Sequence, residues 1–496
     1  MLYRSTRGRF EPVSASQAIK LGIAPDGGLF VPADSVTIEN PERLVNSTYQ
    51  ERAQAVLQPF LTGFSDDEVR ECVHSAYNAT RFDTPAIAPL HKLAPGLHLL
   101  ELWHGPTCAF KDMALQILPH LLKKSTEKTE EDAEIVILVA TSGDTGKAAL
   151  EGFRDVLGTR IIVFYPEQGV SEIQKRQMVT QEGNNVSVIA VRGNFDDAQS
   201  GVKAIFTDDT VKADLANRGF KFSSANSINW GRLVPQIAYY FSAYLDLRRD
   251  GEIGPREAIN FVVPTGNFGN ILAGFYARRM GLPIGRLICA ANRNNVLTDF
   301  IRTGVYDRNR AFVRTLSPSM DILISSNLER LLFELTGHDN RAAIWMEQLR
   351  KTGRYAVDTE TVRAVTDLFW SDFADDTETI NTIRTTYRES GYPMDTHTAV
   401  GRAVYDKYRS ATGDATKTVV VSTASPFKFN ESVSKALLDK ETVAGRSEFE
   451  LLEILSGLTG WIIPPGLRDL DKKPIRHDRV VDREGMQDAV LQTLRK

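Results

Sequence analysis

Cysteine is scarce in this sequence. Its 496 residues contain Cys72, Cys108 and Cys289, far apart and without a CxxC spacing. That pattern excludes a disulfide framework and gives no reason to expect a metal site, and it fits a reducing compartment. Long apolar runs are also missing. The longest, at 135–140 and 419–421, are too short to cross a bilayer and suit buried parallel strands. The opening MLYRSTRGRF lacks the apolar core of a secretory signal, so a cytoplasmic protein with no membrane partner is expected. Nor is there an excess of positive charge. A net charge of −4 and a pI of about 6.1 argue against a surface built to neutralise nucleic-acid phosphates. Small anions remain open, since they need only a local basic site. The hydrophobic fraction of 42% and charged fraction of 25% are those of an ordinary globular chain, too long for one core.

Short aliphatic runs recur, with small or polar residues and then a helical pattern behind them. The run 97–103 leads through 104–109 into a helix from about Asp112, and 134–140 leads through TSGDTG into a helix from about Lys147. The run 259–263 leads through PTGNFGN into a helix at 271–280, and 161–165, 287–290 and 418–422 are further strand candidates. Strand, loop and helix in alternation predict an α/β fold with mostly parallel sheets flanked by helices, whose ligands sit at the carboxyl ends of the strands. Residues 1–90 read as an extra N-terminal domain, 91–240 as a smaller α/β domain, and 241–496 as a larger one with a mainly helical insertion at 294–392.

Five segments carry chemistry. In HGPTCAFKDMALQ, Lys111 follows two apolar residues and opens a helix. A helix N-terminus and apolar neighbours both disfavour an ammonium, which keeps an amine neutral and nucleophilic. In ATSGDTGKAALEGF, small residues between a strand and a helix leave backbone N–H groups open for a carboxylate or phosphate. The GDTGK within it fails as a nucleotide P-loop, because Thr141 and Ala148 stand where that motif needs Gly and Ser or Thr. VVPTGNFGNILAGF is a more specific phosphate cradle, and without the P-loop lysine or GxGxxG it does not suit ATP or NAD. VVVSTASPFKF ends a buried strand in hydroxyls, and SSANSINWGRLVPQ offers Asn226, Asn229 and Arg232 near a helix start. Read singly, each is also an ordinary turn or cap. Together, a phosphate cradle, a second anion loop, a neutral lysine and a strand-end hydroxyl are the parts of a pyridoxal-phosphate site.

GPTCAFKD, ATSGDTG, NSINWGR, PTGNFGN, SPSMDILISSNLERLLF and the N-terminal APDGGLFVP resemble the threonine synthase family, in its order, and its longer bacterial and fungal branch. The resemblance implies a fold type II pyridoxal-phosphate enzyme, similar to tryptophan synthase β. It implies that Lys111 is the Schiff-base lysine, that Gly266, Asn267, Phe268, Gly269 and Asn270 form the cofactor's phosphate loop, and that the Thr423 hydroxyl faces the pyridine nitrogen. It implies substrate contacts at Ser142, Asp144, Thr145, Asn226, Asn229 and Arg232. The implied reaction turns O-phospho-L-homoserine and water into L-threonine and phosphate by β,γ-elimination and replacement. Monomer and homodimer both stay open. Cys108, Asn270, Ser425 and Phe427 depart from the family's usual residues. Two alternatives stand beside this reading: a dehydratase or phospho-lyase of the same fold, and a binding protein that has kept the fold without catalysis.

Overall fold

The computed structural model describes residues 1–141 and 143–495. Two sheets organise the chain. The larger has six strands in the order Phe369–Phe373, Ile284–Ala291, Ile259–Pro264, Thr418–Ser422, Leu97–Glu101, Leu90–Ala94. All neighbours are parallel except the final hairpin pair. The smaller has five parallel strands in the order Val480–Val481, Val186–Val191, Thr159–Pro166, Glu134–Ala140, Phe220–Ser223. The aliphatic runs are strands because helices cover both faces of each sheet. Ile259–Pro264 and Thr418–Ser422 are buried at every residue, and each buried Val, Ile or Leu contributes about 1.5–3 kcal/mol.

The sheets divide the chain differently from the boundaries expected at 90 and 240. The strand that leads to Lys111, Leu97–Glu101, lies inside the larger sheet, between Thr418–Ser422 and Leu90–Ala94. The far C-terminal Val480–Val481 returns to the smaller sheet beside Val186–Val191. The region 294–392 does carry helices, among them Arg341–Thr352 and Asp376–Ser390, but its strand Phe369–Phe373 also forms an edge of the larger sheet. The apolar runs could not reveal this, because a strand's partners are set by tertiary packing.

At the N-terminus, Leu2–Ser5 pairs antiparallel with Val13–Ser14 and Phe30–Pro32. Helices Ala15–Leu21, Tyr49–Leu57 and Asp66–Ala76 each begin with a capping box, on Ser14, Thr48 and Ser65. These side chains satisfy the first N–H groups of their helices. Buried ions fasten this unit to the rest: Arg52 Nη1 lies 2.7 Å from Asp246 Oδ1, and Arg330 Nε donates to Phe30 O at 2.9 Å.

Two helices that follow glycine-rich loops, one behind a strand of each sheet, begin without a side-chain cap. Asp144–Phe153 follows Gly143 at φ 144°, and Gly269–Arg279 follows Phe268 at φ 63°. Both start at the carboxyl end of a parallel strand, where an open helix N-terminus is an anion site.

Candidate active site

Lys111 stands where two strand ends are laced together. Beyond the paired strands Leu97–Glu101 and Thr418–Ser422, Leu102 N–H donates to Ser422 O at 3.0 Å, Phe110 N–H to Thr423 O at 2.8 Å, and Ser425 N–H to Cys108 O at 3.1 Å. Asp112 holds the turn between them, taking the Thr107 N–H at 2.8 Å and the Thr107 hydroxyl at 2.7 Å. Only glycine fits at 105, where a Cβ would come 2.5 Å from the Asp112 side chain. Cys108, at φ 59°, sits in the left-handed region that costs a side-chain-bearing residue energy. The turn therefore stores strain three residues before Lys111.

The Lys111 amine lies 3.6 Å from Asp144 Oδ2 and 5.1 Å from the centre of the Phe110 ring, with its side chain 10% exposed. Burial is the main cause that pushes it down to about 8. Asp144 pulls it up, while Arg232 and Lys428 push it down further.

The cradle at 266–270 has a clear polarity. Its carbonyls are held from one side: Ser325 Oγ donates to Gly266 O at 2.8 Å, and the Asn327 backbone and side-chain N–H groups donate to Asn267 O at 3.2 and 3.0 Å. The backbone N–H groups of Gly266, Asn267, Phe268, Gly269 and Asn270 donate to no described residue. The Asn270 amide oxygen accepts the Tyr239 and Tyr240 hydroxyls at 2.6 and 2.8 Å, while its buried Nδ2 has no partner among the described residues. A set of free donors at an uncapped helix start is built for a multiply charged oxyanion.

The second loop is different. The Thr141 hydroxyl oxygen accepts the N–H groups of Gly143 and Gly146 at 3.0 and 2.9 Å. At its centre is the buried Asp144 carboxylate. Oδ1 accepts from Gln174 Nε2 at 2.9 Å and faces Lys428 Nζ at 3.1 Å, and Oδ2 accepts the Ser319 hydroxyl at 2.7 Å. Burial alone would raise this carboxyl, but Lys428, Lys111 and the Ser319 hydroxyl hold it well below the usual carboxylate range.

The remaining expected residues are placed unevenly. Arg232 is 5% exposed, donates to Ala225 O at 2.6 Å, and has no carboxylate partner among the described residues. Burial pushes its guanidinium down to about 10, and an unpaired buried cation is a natural seat for an anion. The Thr423 hydroxyl is likewise without a partner among the described residues, on a residue 5% exposed. Thr145 is half-buried, and Ser142 lies outside the described residues. Asn229 is spent on structure. Its Oδ1 caps the Gly231 N–H at 2.9 Å, and its Nδ2 donates to Ile19 O and Ser224 O at 3.0 and 2.9 Å. Asn226 is exposed.

Sequence reasoning passed over Lys428, Ser319, Gln174 and His397. His397 Nε2 accepts the Ser319 N–H at 3.2 Å, and its Nδ1 lies 3.0 Å from Asp395 Oδ1, which fixes the tautomer with the proton on Nδ1. Ser319 lies in the SPSMDILISSNLERLLF run and Lys428 in VVVSTASPFKF, but no spacing in either points to Asp144.

Comparison with known proteins places this geometry. Residues 2–77 match the model described as threonine synthase N terminus, 80–424 that of pyridoxal-phosphate dependent enzymes, and 398–490 that of threonine synthase, C-terminal. A threonine synthase from Pseudomonas aeruginosa is 42% identical over 88% of this chain and 90% of its own. A structure of a pyridoxal-phosphate-bound threonine synthase from Brucella melitensis is 36% identical, with a TM-score of 0.88 and full coverage of both chains. A yeast threonine synthase structure is 32% identical, also at 0.88, covering 99% and 98%. Its laced lysine segment, open phosphate cradle and N-terminal unit are carried on a chain that belongs to the threonine synthase family of pyridoxal-phosphate-dependent enzymes.

Proposed function

We propose that the chain converts O-phospho-L-homoserine and water into L-threonine and phosphate, with pyridoxal phosphate carried on Lys111. The observation that carries this is the placing of a buried amine, pushed down to about 8, beside an unpaired Arg232. The residues fit the cofactor: the free N–H groups at 266–270 and the orphan Asn270 Nδ2 would hold its phosphate, and the unpartnered Thr423 hydroxyl would meet its ring nitrogen. The cofactor, when bound, supplies an electron sink that makes carbon-bound protons removable. With the cofactor bound, Lys111 Nζ would be free to take the α-proton, pass it on to solvent, take a β-proton, and return it at Cγ after phosphate has left. Water would then add at Cβ, its spare proton going to the phosphate, and Lys111 would deliver a proton from solvent back to Cα. Arg232 pairs with an anionic group of the substrate, and Thr145 adds a hydroxyl at the mouth of the second loop. Asn226 and Asn229 shape the segment that carries Arg232. The protein works in the cytoplasm on small molecules, without nucleic acid, and cell fractionation checks the location.

Incubating the loaded protein with O-phospho-L-homoserine should release phosphate and threonine in equal amounts. Phosphate accompanied by 2-oxobutanoate and ammonia, without threonine, would replace this reading with a phospho-lyase.

A further inference from the structure

Buried cations outnumber buried carboxylates around Lys111. Lys111 lies in the fields of Lys428 and Arg232, and Asp144 is the carboxylate that Lys111 and Lys428 share. Arg232 does not give up its proton in a protein. Asp112, the other buried carboxylate in the field of Lys428, is bonded to Thr107, so the two lysines have one carboxylate in contact between them, and geometry indicates which holds it better. Lys428 Nζ lies 3.1 Å from Asp144 Oδ1 and also donates to Thr107 O at 2.8 Å, on a side chain with no exposure. Lys111 Nζ lies 3.6 Å from Oδ2, and that oxygen is already taken at 2.7 Å by the Ser319 hydroxyl. Gln174 fills the rest of Oδ1 at 2.9 Å. Asp144 is thus shared by the two lysines, with Lys428 the nearer and more fully anchored partner and Lys111 the more distant one.

We propose that Lys428 is a positioning residue that holds the larger share of the Asp144 carboxylate, leaving Lys111 beside two cations with only a distant, shared counter-ion, so that Lys111 releases its proton more readily. The inference rests on the Lys111 reading above and extends it to a residue not assigned to the site there. The charged groups around Lys111 are Asp144 on the helix Asp144–Phe153, Lys428 on the turn Pro426–Phe429 and Arg232 on the helix Trp230–Leu233, with Asp112 next in sequence. His397 Nε2 accepts the N–H of Ser319, the residue whose hydroxyl binds Asp144. Burial by itself would lower any lysine here. What Lys428 adds is a second positive charge and competition for the counter-ion, and both act in the same direction.

The test reads the Lys111 amine directly. The full-length chain is stripped of cofactor and labelled with an amine-reactive acyl reagent across a pH series, and the Lys111 peptide is quantified by mass spectrometry. The midpoint for the unaltered chain is expected near 8. Lys428→Met should move it upward by about one unit or more, Lys428→Arg should leave it in place, and Asp144→Asn should move it downward. A Lys428→Met midpoint unchanged or lowered overturns the proposal, because Lys428 would then hold no larger share of Asp144. Lys428→Met leaves a buried carboxylate short of a partner, so circular dichroism must report the fold. If that variant does not fold, Ser319→Ala decides. It frees Oδ2, so an upward shift supports the proposal and no shift overturns it. Borohydride fixation with peptide mapping is read separately. Fixed cofactor on another lysine would sink the Lys111 assignment while leaving the charge argument to stand or fall on the labelling midpoints.

Discussion

The two glycine loops at the strand ends look alike in sequence and differ in what they leave free. In the loop at 266–270 the carbonyls are tied down by Ser325 and Asn327 and the N–H groups have no partner. In the loop at 141–146 two N–H groups are satisfied by Thr141, and the centre is a carboxylate tied to Lys428, Gln174 and Ser319. The first is preorganised for an oxyanion and needs no rearrangement to take one. The second has two of its N–H groups occupied and a buried carboxylate at its centre, so an anion arriving there has the N–H groups of Asp144 and Thr145, which donate to no described residue, or Arg232. On the proposed assignment, cofactor and substrate place opposite demands on similar sequence: the resident group would meet a finished site, and the transient one a guarded site.

The largest expected effect falls on the lysine between the loops. Lys111→Ala should abolish threonine formation and remove the borohydride-fixed cofactor, while non-covalent cofactor binding by the cradle persists. Loss of both would mean that the cradle does not work alone, and equilibrium dialysis distinguishes the two. Next, Gly266→Val should weaken cofactor binding by about tenfold or more, equivalent to about 1.4 kcal/mol. A Cβ there would meet Ser319 O at 3.1 Å and the Met320 Cα at 3.2 Å, both backbone. KM for substrate at saturating cofactor should barely change. Thr141→Val, nearly isosteric, should do the reverse. It strands two buried N–H groups, each costing about 1–3 kcal/mol, so melting temperature should fall and KM should rise while cofactor affinity holds. If Thr141→Val weakened the cofactor as much as Gly266→Val, the division between the loops would be wrong. The smallest effect is expected from Thr423→Val, whose lost hydrogen bond is worth about 0.5–1.5 kcal/mol of cofactor affinity. An unchanged affinity and turnover would remove Thr423 from the site.

Much of this comparison was legible in the sequence, and the rest was hidden for identifiable reasons. The parallel strands at 134–140, 259–264 and 418–422 show as aliphatic runs because both their faces are covered. Phe369–Phe373, with Ser371 and Asp372 inside it, carries no such run and joins the sheet only because Ile284–Ala291 lies beside it. The cradle was legible because its glycines flank a helix start. Asn229 caps the helix it precedes, and in sequence a capping Asn and a ligand-binding Asn look alike. The Asp144 cluster was legible only at Lys111 and Asp144. Its members come from positions 111, 144, 174, 319 and 428, and only tertiary contact brings them together.

The lacing of the Lys111 segment has a consequence for the order in which the molecule is made. The backbone bonds that position Phe110 and Cys108 come from Thr423 and Ser425, and the strand Leu97–Glu101 has Thr418–Ser422 as its inner neighbour. A ribosome delivers residues 97–111 early and residues 418–425 only after most of the chain has emerged. Until then the Lys111 segment has half a sheet, and its lysine has neither Lys428 nor the strand-end hydroxyl beside it. The surroundings of Lys111 are therefore completed late although the residue is synthesised early, and they become whole only when translation has run almost to residue 428.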